Sequence, residues 1–268
     1  IGSYQNVSRS LQGAIPGLTV TFSDGKPTRG ASFQVRGANS IGAGGSALIL
    51  VDGVETDITT VNSEDIESIS VLKDASSTAV YGSRGTFGVI LITTKRPEKG
   101  QMKITYNGSY NFYKRTVTPE LVDNGYDWTT SYLEAYTNSY ATDPTNINNV
   151  FRFSRAWYSE LERRNSDPSY EKWRINPADN RYEYFGNTNW YKIFYKDYTT
   201  GHQHNLSITG GTDKASYYVS GRFFHQDGIY NAGDERYNQY NVLAKGTVQA
   251  TKWLRVENTT SFMSRFSH

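Results

Sequence analysis

The chain has 268 residues, enough for two domains or one large one, with 28 basic residues against 26 acidic ones. That near balance excludes a polyanion-binding surface, so no nucleic-acid partner is expected. The absence of cysteine excludes thiolate metal sites, cysteine nucleophiles and disulfides. No apolar run approaches the roughly 18 residues that a membrane helix needs. Membrane strands escape that search, because their outward apolar residues alternate with inward polar ones. The start, Ile1-Gly2-Ser3-Tyr4, has neither a basic segment nor an apolar stretch, so no signal peptide is expected in it.

In chain order, residues 6–13 read as a short capped helix. Ala31, Phe33 and Val35 alternate with polar neighbours, the pattern of a half-buried strand. The apolar run 47–51 reads as a second strand, ended by the turn dipeptide Asp52-Gly53. Asn62 or Ser63 can cap a short helix whose first turn holds Glu64, Asp65 and Glu67, where the helix dipole favours negative charge. A strand at 69–71 follows. Asp74 then caps a helix over 75–81, with Gly82 as a left-handed stop, and 89–92 closes a small α+β unit.

The chemistry changes near Gly100. Before Met102 lie 14 glycines and only five aromatics; after it come 33 aromatics, including all five tryptophans. The charged bridge Lys95-Arg96-Pro97-Glu98-Lys99-Gly100 continues neither strand nor helix, which puts a domain boundary there, 1–99 against 100–268. Period-two patterning then marks five strands, at 102–115, 202–209, 215–226, 237–250 and 254–266. Ile104, Tyr106, Tyr110 and Phe112 face one way, Lys103, Thr105, Asn107 and Asn111 the other. Such lengths suit a membrane barrel better than an ordinary sheet. Between the first two strands lies an insertion, about 116–200, with a helical stripe over 122–140 and the remainder read as ordered loop.

Catalytic readings find little support. His202 and His204 share a strand face, a spacing that can bind metal, but no third ligand stands near in sequence. Ser83 lacks the frame of a nucleophile elbow, and Ile41-Gly42-Ala43-Gly44-Gly45-Ser46 lacks the ending of a phosphate loop. The chain is expected not to be an enzyme and to need no cofactor or metal.

Five signatures occur in order within residues 30–95: Val35-Arg36-Gly37, Val51-Asp52-Gly53, Ile66-Glu67-Ser68-Ile69-Ser70-Val71-Leu72-Lys73-Asp74, Tyr81-Gly82-Ser83-Arg84-Gly85 and Gly88-Val89-Ile90-Leu91-Ile92-Thr93-Thr94-Lys95. Together they resemble the plug domain of a TonB-dependent outer-membrane transporter, closest in wording to the SusC/RagA branch. The resemblance implies an α+β plug followed by the first antiparallel strands of a transmembrane β-barrel, which in large plugged transporters has roughly 22 strands. It implies import of a large nutrient, an oligosaccharide first or else a peptide, across the outer membrane of a Gram-negative bacterium. The plug would face the periplasm. Implied partners are a SusD-like surface lipoprotein acting as a lid, outer-membrane lipid, and TonB, pulling a segment upstream of residue 1. Plug loops at 38–46, 54–61 and 82–87 would face the ligand, through Asn39, Ser40, Thr56, Asp57, Arg84 and Phe87. These side chains could instead serve their own turns, and Arg36 and Arg84 could bridge to carboxylates of the barrel wall. In the insertion, Trp157, Tyr158, Trp173, Tyr182, Tyr184 and Trp190 could stack on sugars, meet a lid, pack the loop or form an interfacial girdle. Two rivals stand beside this reading: a siderophore or cobalamin receptor, and a soluble surface glycan-binding β-protein.

Overall fold

The structure, a computed structural model, describes residues 7–13, 15–23, 30–35, 46–148 and 151–267, which fall into two units. One holds Ile1–Tyr113, Tyr198–Ile229 and Gly233–His268; the other holds Lys114–Asp197 and Tyr230–Ala232.

The first unit begins with helix α1 (Val7–Leu11) and an antiparallel hairpin, β1 (Leu18–Phe22) with β2 (Ala31–Val35). Next come β3 (Leu48–Val51), β4 (Val54–Glu55), β5 (Ile66–Leu72), the short helix α2 (Ala75–Thr78) and β6 (Val89–Thr94). These strands form a sheet in the order β4-β3-β6-β5, with β3 parallel to β6 and the other pairs antiparallel. Side-chain alternation gives the sheet two buried faces. Ile90 and Ile92 join Val7, Leu11, Leu18, Val20, Phe33 and Val35 in the main core, while Val89 packs with Leu48 and Leu50 behind it. Gly88 sits at φ +94°, and a Cβ there would lie 2.7 Å from that of Val35, so only glycine lets the hairpin close on β6.

Local expectations needed three corrections. β1 is a strand that the sequence reading left out. The stretch after Asn62 is a single 3-10 turn, Ser63–Asp65, and Glu67 already lies in β5. Asp74 makes no side-chain cap bond, and the segment after α2 tightens to 3-10 geometry with a kink at Gly82 (φ 58°, ψ −144°), not a left-handed cap.

Strand β7 (Gly100–Lys114) leads into the second unit. That unit holds α3 (Gly125–Tyr140), α4 (Arg155–Ser166), a hairpin of β8 (Trp173–Ile175) with β9 (Tyr182–Tyr184), and α5 (Trp190–Phe194). The insertion is thus more regular than the loop expected beyond α3. Asn124, Ser154 and Asn189 each accept backbone N–H bonds at a helix start, which satisfies donors that the first turn leaves open.

The chain returns in β10 (Tyr198–Gly211), β11 (Ala215–Asp227), β12 (Arg236–Gln249) and β13 (Arg255–Ser267). With β7 they make a five-stranded sheet in the order β13-β12-β11-β10-β7, and β10 to β13 pair antiparallel in a continuous register. Its two faces reverse the usual soluble arrangement. Ile104, Tyr106, Leu206, Val219, Val242, Val256 and Phe262 are exposed, whereas Gln203, Asn205, Arg222, Gln239, Asn241 and Lys245 are buried. Apolar outside and polar inside is the partition that lipid imposes on a barrel wall.

Candidate functional site

The buried polar face of the sheet meets the front domain through hydrogen bonds. The Asn62 amide donates to Asn205 Oδ1 at 2.8 Å and to Asp65 Oδ2 at 3.0 Å. The Tyr218 hydroxyl donates to Asp65 Oδ1 at 2.8 Å, and Asn241 donates to the Thr60 carbonyl at 2.8 Å. Asn107 reaches Glu64 at 3.0 Å. Nearer the start of β7, the Glu98 amide donates to Thr209 Oγ1 at 3.2 Å. The sheet face thus meets the front domain by polar pairing rather than by a shared apolar core.

Asp52 anchors the tightest of these clusters. Asp52 (φ 49°) and Gly53 (φ 87°) both take positive φ, which makes the two-residue turn that joins β3 to β4. The turn aims the Asp52 carboxylate at Thr94, whose amide donates at 3.0 Å and whose hydroxyl donates at 2.6 Å. Lys245, only 8% exposed, completes the group, with Nζ 2.9 Å from Asp52 Oδ2 and 3.3 Å from the Thr94 carbonyl. Burial pushes the Asp52 carboxyl up. The Thr94 hydroxyl and amide and the Lys245 ammonium outweigh it and hold the group below its ordinary value of 3.8.

At the other end of β3 and β6, away from the bridge into β7, lies an open cavity of about 490 Å³. Ser46, Ala47, Leu48, Ile49, Glu55, Thr56, Asp57 and Arg84 line it. Three residues expected on ligand-facing loops, Thr56, Asp57 and Arg84, therefore come together here. Their side chains also hold the loops themselves. Asp57 caps the 3-10 turn Ile58–Thr60 through the Thr59 amide at 2.9 Å, and Thr56 Oγ1 donates to the Val54 carbonyl at 3.1 Å. Arg84 pairs with Glu55 of the same domain. Phe87 is exposed but does not line the cavity. Asn39, Ser40 and Arg36 lie outside the described residues.

The insertion's aromatics separate by environment. Tyr158 stacks on Tyr126 at 5.8 Å and shares a 2.9 Å hydrogen bond with Thr130, while Trp157 stacks on Phe185 at 5.9 Å; both pack α4 within its own unit. Trp173 and Tyr184 are cross-strand partners on the exposed face of the β8–β9 hairpin, with Tyr182 beside Trp173 at 5.6 Å. Trp190 is exposed and stacks on Phe194. On the outer sheet face His202 lies between His204 and His225, with ring centroids at 5.3 and 5.0 Å. Among the described residues no cluster of three or more His, Cys, Asp or Glu has metal-binding geometry.

The family model of the TonB-dependent receptor plug domain matches residues 2–89. TonB-dependent receptor P3 of Formosa agariphila is 32% identical over 260 residues, covering 95% of this chain and 21% of its own length. TonB-dependent receptor SusC of Bacteroides thetaiotaomicron is 43% identical over 124 residues, covering 42% of this chain and 12% of its own. The solved RagAB peptide transporter superposes on 99% of the chain with a TM-score of 0.75 at 26% identity, and covers 29% of that structure's chain. The chain belongs with the SusC/RagA-type TonB-dependent transporters. It spans about a fifth or less of the length of the curated relatives it matches.

In this SusC/RagA-type chain the front domain is the plug and the five strands are wall. Its relatives are transporters and receptors, not enzymes. The plug–wall partners Asn205, Tyr218, Asn241 and Lys245 were missed as functional residues. A signal existed: Asn205, Asn241 and Lys245 sit on the polar phase of the period-two pattern. What each would meet depends on plug residues far away in sequence.

Proposed function

We propose that the complete protein imports a large nutrient, an oligosaccharide first, through an outer-membrane barrel that this plug closes. TonB draws on the plug from the periplasm, and a SusD-like lipoprotein covers the outer mouth as a lid. The reading rests on one observation: a strand sheet with its apolar face exposed and its polar face hydrogen-bonded to the plug. A water-soluble β-protein would carry the reverse partition. Polar bonds of this kind suit a plug that must seal at rest and yet be displaced, because each contributes only about 1 kcal/mol net. The domain boundary near residue 99 and the ligand-facing role of Thr56, Asp57 and Arg84 belong to the same proposal.

A peptide cargo is the second reading. It is favoured by the likeness to the RagAB peptide transporter and by the mixed charge of Glu55, Asp57 and Arg84 around the cavity. Uptake tests both. Cells carrying the complete protein should accumulate labelled oligosaccharide, and removing TonB or collapsing the proton gradient should stop it. Accumulation of peptide alone selects the second reading. Uptake that survives loss of TonB overturns active import.

A further inference from the structure

Tyr237, Gln239 and Asn241 stand at alternate positions of β12, so they share the polar face of the wall, and all three are buried. Their side chains are bonded head to tail along the strand. The Tyr237 hydroxyl donates to Gln239 Oε1 at 2.8 Å, and the Gln239 amide donates to Asn241 Oδ1 at 2.9 Å. The Asn241 amide then donates to the Thr60 carbonyl of the plug at 2.8 Å. Both ends fix the direction of this file. A backbone carbonyl can only accept, so Asn241 must turn its NH2 toward Thr60 and its oxygen toward Gln239. Gln239 must then turn its own oxygen toward Tyr237. At the far end Arg265, the β13 residue opposite Gln239, hydrogen-bonds the Tyr237 oxygen, and a guanidinium can only donate. The Tyr237 proton therefore has one place to go.

Thr60 ends the 3-10 turn that starts beside the cavity. Its amide and hydroxyl both donate to the Asp57 carbonyl, at 3.0 and 2.7 Å, and Asp57 Oδ1 accepts the Thr59 amide at 2.9 Å. Asp57 and Thr56 line the cavity, and all of its lining residues come from the plug. We propose that Tyr237, Gln239 and Asn241 are positioning residues, a one-way relay through which the wall holds the Thr56–Asp57 turn in place for ligand. The wall thereby enters the specificity of a cavity to which it contributes no lining side chain. Each donor in such a chain polarises the next, so loss of the Tyr237 proton is felt at Thr60, two links further on. The proposal deepens the ligand-facing reading of Thr56 and Asp57 and rests on that reading only for what the positioning serves.

The test is hydrogen exchange, followed by mass spectrometry, on the complete, detergent-purified transporter. Asn241→Leu should speed exchange across residues 57–61 by about tenfold, and Tyr237→Phe, which removes a single oxygen, by about threefold. Residues 63–65 should stay unchanged, because Asn62 and Asp65 are held by Asn205 and Tyr218 on other strands. The double variant decides between a relay and separate packing effects. Once Asn241 no longer reaches Thr60, the Tyr237 proton has nothing to act on, so the double variant should exchange no faster than Asn241→Leu alone. The proposal is overturned if Tyr237→Phe leaves 57–61 unchanged, if the two effects multiply, or if 63–65 loosens equally. Should Asn241→Leu fail to fold, Asn241→Ser takes its place in the cycle. Uptake measured on the same variants separates the two readings: a relay that governs exchange while uptake is unaltered sinks only the ligand-facing role of the turn.

Discussion

Lys245 and Asp52 make one joint between plug and wall, and the two sides of that joint should respond differently to substitution. Lys245→Met removes the ammonium that the Asp52 carboxylate and the Thr94 carbonyl share and should weaken plug seating by about 1–3 kcal/mol. The expected readout is faster hydrogen exchange at the Thr94 amide, with the β11 and β12 amides unchanged. Asp52→Asn keeps the shape and loses the charge, so it should cost less. The carboxyl's pKa lies below 3.8 in the folded protein, so its stabilising contribution is complete at neutral pH and is lost as pH falls below about 4. The melting-temperature gap between the parent and Asp52→Asn should therefore narrow between pH 7 and pH 3; a constant gap would show that the charge plays no part. Asp52-Gly53 was legible as a turn because its conformational demand is local. The partner Lys245 was not, because it is set by the docking of strands remote in sequence.

Elements show where local pattern suffices and where it fails. Gly88→Ala combines a positive φ with a collision at Val35, and should destabilise the plug by about 1–3 kcal/mol, measured as a lower melting temperature. Asn124→Ala removes an acceptor shared by the Tyr126 and Asp127 amides and should cost about 1 kcal/mol of α3 stability, seen as earlier loss of helical signal on heating. The five long strands were readable because alternation persists over 13 residues or more in each. Helix α4 was not, since RAWYSELERRNS carries few apolar residues. It is held by the Ser154 cap, by Glu160 paired with Arg163 and Arg164, and by Trp157 against Phe185. The three-residue strands β8 and β9 depend on the Arg174–Glu183 pair, a tie that no periodicity announces. In the candidate site, motif resemblance reached Thr56, Asp57 and Arg84, whereas the wall partners Asn205, Tyr218 and Asn241 lie too far away in sequence for a motif to join them to the plug.

At the scale of the molecule, five strands cannot close a barrel, and β7 and β13 stand at the ends of the described sheet. Lipid tolerates no open edge, so the complete protein must supply further strands. It should leave the membrane only with detergent, and recovery in detergent-free buffer would contradict the exposed apolar wall. Register guards this partition. A slip by one residue along β12 would turn Asn241 and Lys245 toward lipid and Val242 toward the plug.

The plug's holds on the wall are strung along the chain at Asp52, Thr60, Asn62, Asp65 and Thr94. Traction applied at one end of such a string does not strain all of its fastenings together. A plug that unravels from that end would release them in turn, with Asp52 and Thr94 letting go of Lys245 together, so the force required is that of the firmest single fastening rather than their total. A seal that withstands uniform pressure across its whole face can therefore still be peeled open by a modest tug on a thread.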